Sequence, residues 1–292
     1  YSDQFFEDKE TVNVTITISI TDIEEGAFPR IKFAGSGQQS KIIAIPSLGA
    51  VGWTSFDQAF DGCSNLVEIH GGDLSKVTST YRMFREATNA VPDTSEWDVS
   101  SVTNMREMFY RASSATPNTT NWDVSSAQNF YMMFRDAVSA NPDVKYWNTR
   151  NVTTMHSMFR GATSATPDTS GEDWVTTMVT SMREMFMSAT NANPDTANWD
   201  TSKVKDMREM FSNAVNARPD TSQWNTSLVV SMRAMFSNAK SADPVTSSWN
   251  MSSMKDADYI FYGSGISQEK YDLFLSVLDK TSPQLEITKP RQ

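Results

Sequence analysis

The stretch SVTNMREMFYRASSATPNTTNWDVS, residues Ser101–Ser125, contains the unit from which most of the chain is built. Its phenylalanine, Phe109, belongs to a series that runs from Phe60 to Phe261 in steps of 24, 25, 25, 25, 27, 25, 25 and 25 residues. Its tryptophan, Trp122, recurs in the same way. A unit of about 25 residues that repeats its large apolar residues can bury them only by stacking on its neighbours. The chain is therefore predicted to form a solenoid.

The residue pattern within one unit predicts a short helix and a strand. Val102, Met105 and Phe109 follow the i, i+3, i+7 spacing of one helical face. The helix is expected to end before Pro117, because proline disfavours helical backbone in the residue that precedes it. The Thr- and Trp-rich segment Asn118–Val124 is typical of a strand. Each coil is therefore predicted as strand, turn, short helix and turn.

Residues before the array are predicted to form a β-rich cap. The segment VNVTITISI, residues 12–20, alternates apolar and polar side chains with period two, as a half-buried strand does. Residues 30–34 and 41–45 are predicted to form a hairpin, because the Gly-containing segment 35–40 between them is typical of a flexible loop. These strands would cover the first open edge of the array.

Residues after the array are predicted to form a helical cap. The side chains of Tyr271, Phe274, Leu275 and Leu278 follow the i, i+3, i+4, i+7 spacing of an amphipathic helix. The predicted organisation is then an N-terminal cap at 1–55, a repeat array at 56–262 and a C-terminal cap at 263–292.

The repeat motif indicates a family. The run WDVSSVTNMREMF (Trp97–Phe109), with variants at Trp199–Phe211 and Trp224–Phe236, resembles the BspA-like bacterial surface-protein repeat, a divergent leucine-rich repeat. The resemblance covers about Phe56 to Phe261. It implies an α/β leucine-rich-repeat solenoid, with a parallel sheet on one face and short helices on the other. It also implies a secreted or surface-anchored protein used for attachment, here as a module of a larger bacterial adhesin.

The chain departs from that family pattern at the inward position of the predicted strand. Threonine replaces the expected aliphatic residue there, and small alanines stand where a large apolar residue would open the strand. The coil is therefore expected to be thinner than a standard leucine-rich repeat. The inward threonines are Thr94, Thr119, Thr169, Thr196 and Thr221.

Composition limits the classes of partner. The chain carries 35 acidic and 25 basic residues, and its net charge of −10 opposes binding to a nucleic-acid backbone. Its single cysteine, Cys63, excludes an intrachain disulfide. No stretch approaches the ~18 consecutive apolar residues of a membrane span. Neither nucleic-acid binding nor membrane insertion is expected.

No motif indicates catalysis or a cofactor. The two histidines, His70 and His156, have no partner pattern, and nucleophile, metal-ligand and phosphate-loop motifs are missing from the sequence. The chain is therefore not expected to be an enzyme. Calcium is not expected either, because the sequence lacks the dense multi-oxygen loop that calcium prefers.

One outward column of the predicted strand is acidic or amide-bearing. Alternation along a strand places this column opposite the inward threonines. Two interpretations stay open: a solvated face that keeps the protein soluble, or an acidic groove that binds a ligand. The column consists of Asp93, Asn118, Asp143, Asp168, Asp195 and Asp220.

The array is interrupted once. Trp174 follows Pro167 by seven residues, whereas the corresponding distance in other units is five, so two residues are inserted near Gly171. Inserted residues must project as a bulge or loop, and such loops often lie at binding faces. The predicted ligand-binding residues are Asp143, Asp168, Ser170, Glu172, Asp173, Asp195 and Asp220.

A basic column is predicted on the helical side. It lies next to Glu107, Glu184 and Glu209, so neighbouring coils can form a ladder of exposed ion pairs, each worth about 0–1 kcal/mol. A structural use is favoured over recognition. The column consists of Arg82, Arg106, His156, Arg183, Arg208 and Arg233.

These observations predict a non-enzymatic adhesion module. It would act outside the cell, attached to the surface within a larger protein, and bind a protein, peptide or glycan on another surface. The alternative is a structural spacer or self-association module without a ligand of its own, and a homodimer is left open.

Overall fold

The computed structural model describes residues 30–285, and these residues form a stack of coils joined by parallel pairing. One parallel β-bridge connects each coil to the next, from Arg30–Ser55 to Ser231–Asp256. The repeat of about 25 residues predicted from the sequence is therefore the repeat of the fold. The strand predicted at residues 12–20 lies outside the described residues.

Regular strands are confined to the first coils. Strands β1 (Ala44–Ile45), β2 (Glu68–Ile69) and β3 (Val91–Pro92) form a parallel sheet in the order β1-β2-β3. Ala44 lies opposite Glu68, and Glu68 lies opposite Val91. The later coils of the described part of the chain are joined by the isolated bridges and by further backbone hydrogen bonds but contain no regular strand, so the sheet predicted along one whole face of the array is not formed.

The segment predicted to be helical in each coil is instead a run of tight turns. The amide groups of Met108 and Ala112 donate hydrogen bonds to the carbonyl oxygens three residues earlier, at 3.3 and 3.0 Å. An α-helix would pair each amide with the carbonyl four residues earlier. Four other amides of this segment donate to carbonyl oxygens of the next coil: Met105 to Asn129, Glu107 to Tyr131, Phe109 to Met133 and Arg111 to Arg135.

Left-handed backbone explains why no helix forms there. Glu107 has φ = 56° and Arg111 has φ = 55°, a region closed to α-helix and typical of the third residue of a type II turn. The same two positions are left-handed in every coil of the array. They are Gln58, Arg82, Glu107, Met132, Ser157, Glu184, Glu209, Ala234 and Tyr259, and Gly62, Glu86, Arg111, Asp136, Gly161, Ser188, Asn213, Asn238 and Gly263.

The predicted α/β leucine-rich-repeat fold is therefore wrong. Within residues 30–285 the α-helical structure is one helix outside the array, and the sheet has three two-residue strands. The coil is closed by turns, and the coils are joined by alternate backbone amides. This arrangement satisfies the polar backbone groups of the turn segment without a helix.

Columns of identical residues fill the core. The phenylalanine rings from Phe60 to Phe261 stack on one another with centroids 5.4–5.7 Å apart. The tryptophans of the second series are also buried, with 1–4% of their surface exposed, which confirms the burial predicted for them. Met108 and its equivalents pack beside the phenylalanines and are fully buried.

The inward threonines are buried, as predicted, and they link the coils. The hydroxyl of Thr119 donates a hydrogen bond of 2.7 Å to the carbonyl oxygen of Asp143 in the next coil. Thr94, Thr169, Thr196 and Thr221 make the equivalent bond at 2.6–2.7 Å. A buried hydroxyl must be paired, and here the partner is a carbonyl that the loose strand region leaves free.

The hairpin predicted at the N-terminal end is wrong. Arg30 pairs with Ser55, and Phe33 donates its amide to the carbonyl oxygen of Ala59 at 2.9 Å. The second half of the proposed hairpin contains β1, which pairs with β2. Both halves thus make the same parallel contacts with the following coil that the coils of the array make with each other.

Helix α1, Gln268–Thr281, lies against the last coil. This is the amphipathic helix expected from Tyr271, Phe274, Leu275 and Leu278. Phe274 is fully buried, and its ring meets those of Phe261 and Trp249 edge-on at 5.1 and 6.3 Å. Within residues 30–285, no helix combines the length and the apolar character required to span a membrane.

Candidate binding site

The side chains of the acidic column form hydrogen bonds with the backbone of their own coils. Each of its six members accepts a hydrogen bond from the amide two residues later, at 2.9–3.2 Å. This is the geometry by which Asp and Asn close a turn. Asp168, for example, accepts from both the amide and the hydroxyl of Ser170, at 3.0 and 2.5 Å.

These hydrogen bonds stabilise the ionised carboxylates. The side chain and backbone of Ser170 lower the pKa of Asp168 below its ordinary value, and the pKa of Asp93 is lowered in the same way by Ser95. The carboxylates of Asp93 and Asp168 therefore stay ionised at neutral pH. The like charges of the column are tolerated because each carboxylate has a local donor.

The interruption of the array is a fixed bend between two coils. The amide of Trp174 donates to the carbonyl oxygen of Gly171 at 3.1 Å, and the amide of Thr149 donates to that of Asp173 at 3.0 Å. A Cβ atom at Gly171 would collide with the carbonyl oxygen of Lys145. Glycine is required here because the two segments of backbone touch.

A shallow depression of about 380 Å³ lies beside this bend. Tyr146 is an exposed member of its lining, with 72% of its surface accessible. In other coils the residue before the tryptophan is polar, as at Glu96, Asn121 and Gln223, so an aromatic residue at this position is a departure that the sequence could have shown. The lining residues are Lys145, Tyr146, Ser170, Gly171, Glu172 and Asp173.

Two ion pairs flank the depression. Lys145 Nζ lies 3.1 Å from Asp168 Oδ2, and Arg150 donates to Asp173 Oδ1 at 3.2 Å. Among the described residues, Glu172 has neither a hydrogen-bond partner nor an ion-pair partner. One carboxylate at the rim is therefore unmatched.

The structure brings together only part of the predicted site. Ser170, Glu172 and Asp173 line the depression, and Asp168 is joined to it through Lys145. Asp143 accepts the amide of Lys145 at 3.2 Å, so it lies directly behind the lining. Asp195 and Asp220 lie in the next two coils and do not line it. Tyr146 was missed by the sequence reasoning.

The ion pairs around Glu107 and Glu184 differ in two ways from the ladder that the sequence predicted. Glu107 and Glu184 are buried, with 4% exposure each, so only the arginine half of each pair is partly exposed. Arg82 aligns with Glu107, because Ser79 and Asn104 are bridge partners, and it therefore does not share the column of Arg106.

Arginines surround the buried carboxylates. Glu107 accepts from Arg82 at 2.7 Å and from Arg106 at 2.8 Å, and Glu184 is held by Arg160 and Arg183. Burial alone would raise the pKa of Glu107, but the two arginines outweigh it, and the pKa lies below its ordinary value. These carboxylates are structural ions with satisfied partners.

An aromatic and cationic ladder covers the same side in the first half of the array. Arg106 lies between Tyr81 and Tyr131, with its guanidinium carbon 5.6 and 4.6 Å from the ring centroids. The next ring, His156, lies 4.9 Å from that of Tyr131, and burial lowers the pKa of His156. These side chains contact one another, so their aromatic faces are already used within the protein.

Comparison with known proteins gives a family and no function. Within residues 30–285, no group of three or more His, Cys, Asp and Glu side chains is arranged to hold a metal ion. No curated protein and no solved structure was found to match the chain. One family model matches it twice, over residues 54–171 and 167–274, and the two matches meet at the interruption near Gly171.

The matched family is bacterial, in agreement with the bacterial repeat family that the motif suggested. Its two matches together cover residues 54–274, which is more than half of the chain. The chain therefore belongs to the family described as "Mycoplasma protein of unknown function, DUF285".

Proposed function

We propose that the protein is a non-enzymatic adhesion module of a larger bacterial surface protein. It binds a protein, peptide or glycan presented outside the cell on another surface. The observation that carries this proposal is the depression at the interruption of the array, where the ring of Tyr146 is 72% exposed. An exposed aromatic residue on a rigid frame is a typical anchor of a binding surface.

The frame behind the depression supports this role. Trp147, directly after Tyr146, is 1% exposed and stacks on Trp122 with centroids 6.3 Å apart. Gly171 fits against the backbone of Lys145, and Asp173 accepts the amide of Thr149. The binding groups are thus held by packed residues, which lowers the entropy cost of binding.

A spacer without a ligand is the second candidate. Its support is the acidic column, because the carboxylates that the sequence suggested for recognition close their own turns. A face of this kind would keep a long array charged and soluble with no partner. In this alternative the depression would be a by-product of the insertion.

A binding screen separates the two candidates. The isolated chain is applied to peptide and glycan arrays, with light scattering on the same sample to record its oligomeric state. A ligand found in the screen should lose affinity in a Tyr146→Ala, Glu172→Ala variant. It should bind normally to a Tyr262→Ala control, which removes an exposed tyrosine from the last coil. Absence of any ligand on both arrays would favour the spacer.

A further inference from the structure

We infer that the depression beside Tyr146 binds an arginine side chain from a basic segment of a partner protein. This inference rests on the proposed adhesion function and specifies its partner. The observation that supports it is that the exposed ring of Tyr146 and the carboxylate of Glu172, which has no partner among the described residues, line one depression. Backbone contacts fix the walls of this depression.

Charge is the first argument. The cations at the depression are already neutralised, because Lys145 pairs with Asp168 and Arg150 pairs with Asp173. Glu172 remains, and the whole chain adds a net charge of −10. A negative field of this kind attracts cations and repels anions, and it speeds their encounter at low salt. Further carboxylates behind and beside the depression are those of Asp143 and Asp195.

The ring of Tyr146 is the second argument. Among the described residues it makes no stacking or cation–π contact with another side chain, whereas Tyr81, Tyr110 and Tyr131 each have an arginine over the ring. In those pairs the guanidinium carbon lies 4.6–5.0 Å from the centroid. The protein thus uses the tyrosine–arginine pair repeatedly within itself, and Tyr146 offers the same aromatic face without its own arginine.

The geometry favours arginine over lysine. A planar guanidinium can stack on a tyrosine ring and also donate two hydrogen bonds to one carboxylate, which a compact ammonium cannot do. Tyr146 and Glu172 line the same depression, so one side chain entering it meets both groups. Its volume of about 380 Å³ is sufficient for one such side chain with its flanking backbone.

Short blocked peptides provide the test. Binding of N-acetylated, C-amidated Gly-Arg-Gly-Arg-Gly to the whole chain is measured by calorimetry and compared with the lysine and glutamate analogues. The arginine peptide should bind best, and the glutamate peptide should not bind. Affinity should fall about threefold in Tyr146→Leu and about threefold in Glu172→Gln, because each contact is exposed. The Tyr262→Leu control should bind as the unmodified chain does.

Each alternative outcome has a separate meaning. If the arginine peptide binds equally to the chain, to Tyr146→Leu and to Glu172→Gln, the attraction is general and the assigned site is wrong. If a glycan binds in a Tyr146-dependent manner while the arginine peptide does not, the partner class is wrong and the adhesion function stands. If neither peptide nor glycan binds, both the inference and the proposed function fail.

Discussion

The phenylalanine and tryptophan columns respond differently to the same insertion. Phe159 and Phe186, which flank it, stack at 5.5 Å with ring planes 6° apart, as in the uninterrupted part of the array. On the other side of the coil, Trp122 stacks on Trp147 at 6.3 Å, and tryptophan stacking resumes only between Trp199 and Trp224 at 6.5 Å. Trp174 is buried but makes no ring contact within residues 30–285. A single coil thus absorbs two extra residues on one side only.

Backbone pairing accounts for this difference. On the phenylalanine side, alternate amides donate to the next coil, and Ser157 and Phe159 keep these bonds across the insertion at 2.8 and 2.9 Å. On the tryptophan side, contact between coils depends mainly on stacked rings and on hydroxyls such as that of Thr119. Side-chain contacts can shift, whereas a ladder of backbone hydrogen bonds fixes the register.

The largest loss of stability is expected when a ring is removed from the phenylalanine column. Phe159→Ala removes a fully buried ring from an uninterrupted stack and should lower the free energy of unfolding by about 4 kcal/mol. Denaturant unfolding followed by tryptophan fluorescence measures it. A loss below about 1 kcal/mol would show that this column does not hold the coils together.

Removing a carboxylate charge should also destabilise the protein more near the phenylalanine column than near the tryptophan column. Glu107→Gln leaves Arg82 and Arg106 without their buried carboxylate and should cost about 2 kcal/mol at pH 7, because the two guanidinium groups stay partly exposed to water. Asp168→Asn, on the exposed tryptophan side, should cost less than about 1 kcal/mol. Equal losses in the two variants would contradict the burial argument.

Acid should remove the same stabilisation. The pKa of Glu107 is lowered from 4.5, so its contribution is complete above that value and is lost as pH falls through the lower folded pKa. The unmodified chain should therefore lose stability below about pH 4.5, more steeply than Glu107→Gln does. Parallel curves for the two proteins would be inconsistent with an ionised, paired Glu107.

A comparison of two tryptophans tests the interrupted stack. Trp122 has stacked neighbours on both sides and donates its indole N–H to Thr94, whereas Trp174 has neither contact. Trp122→Ala should therefore cost about 2 kcal/mol more than Trp174→Ala, from two ring pairs and one hydrogen bond. Thermal and urea unfolding of both variants give the difference. Equal losses would mean that stacking adds nothing beyond burial.

The smallest change in stability is expected when the interruption is removed. Deleting Gly171 and Glu172 leaves PDTSDW, which matches PDTSEW at Pro92–Trp97 apart from one residue. Stability should change by about 1 kcal/mol or less, because only a surface bend is lost. Near-ultraviolet circular dichroism should show stronger coupling between tryptophans if Trp174 joins the stack. An unchanged spectrum would mean that the insertion is not what separates the rings.

The sequence predicted the buried columns but not the backbone that carries them. Large residues repeated at one offset identified the interior correctly, since burial depends on side chains. The helix was wrong because turns closed every three or four residues give Met105, Met108 and Phe109 a helix-like spacing. The sequence does not indicate the left-handed backbone at Glu107 and Arg111. Glycine, which would have indicated it, occupies these two positions in only a few coils.

The candidate site shows a similar division. The insertion near Gly171 was visible as a change of spacing, and Ser170, Glu172 and Asp173, which were predicted from it, line the depression. The acidic column could not be separated from turn formation, because Asp serves both purposes and only hydrogen-bond geometry distinguishes them. Tyr146 was not predicted, although the sequence shows it as an aromatic residue at a position that is polar in other coils; only its exposure required the structure.

One hydrogen bond tests the central claim that coils closed by turns are joined by backbone amides across the insertion. In the structure the amide of Phe159 donates to the carbonyl oxygen of Met185, at 2.9 Å. Nuclear magnetic resonance can detect the scalar coupling through this bond, between the amide nitrogen of Phe159 and the carbonyl carbon of Met185. We predict that coupling. Coupling of Phe159 to the carbonyl carbon of Met155, four residues earlier, would indicate a helix and contradict the account.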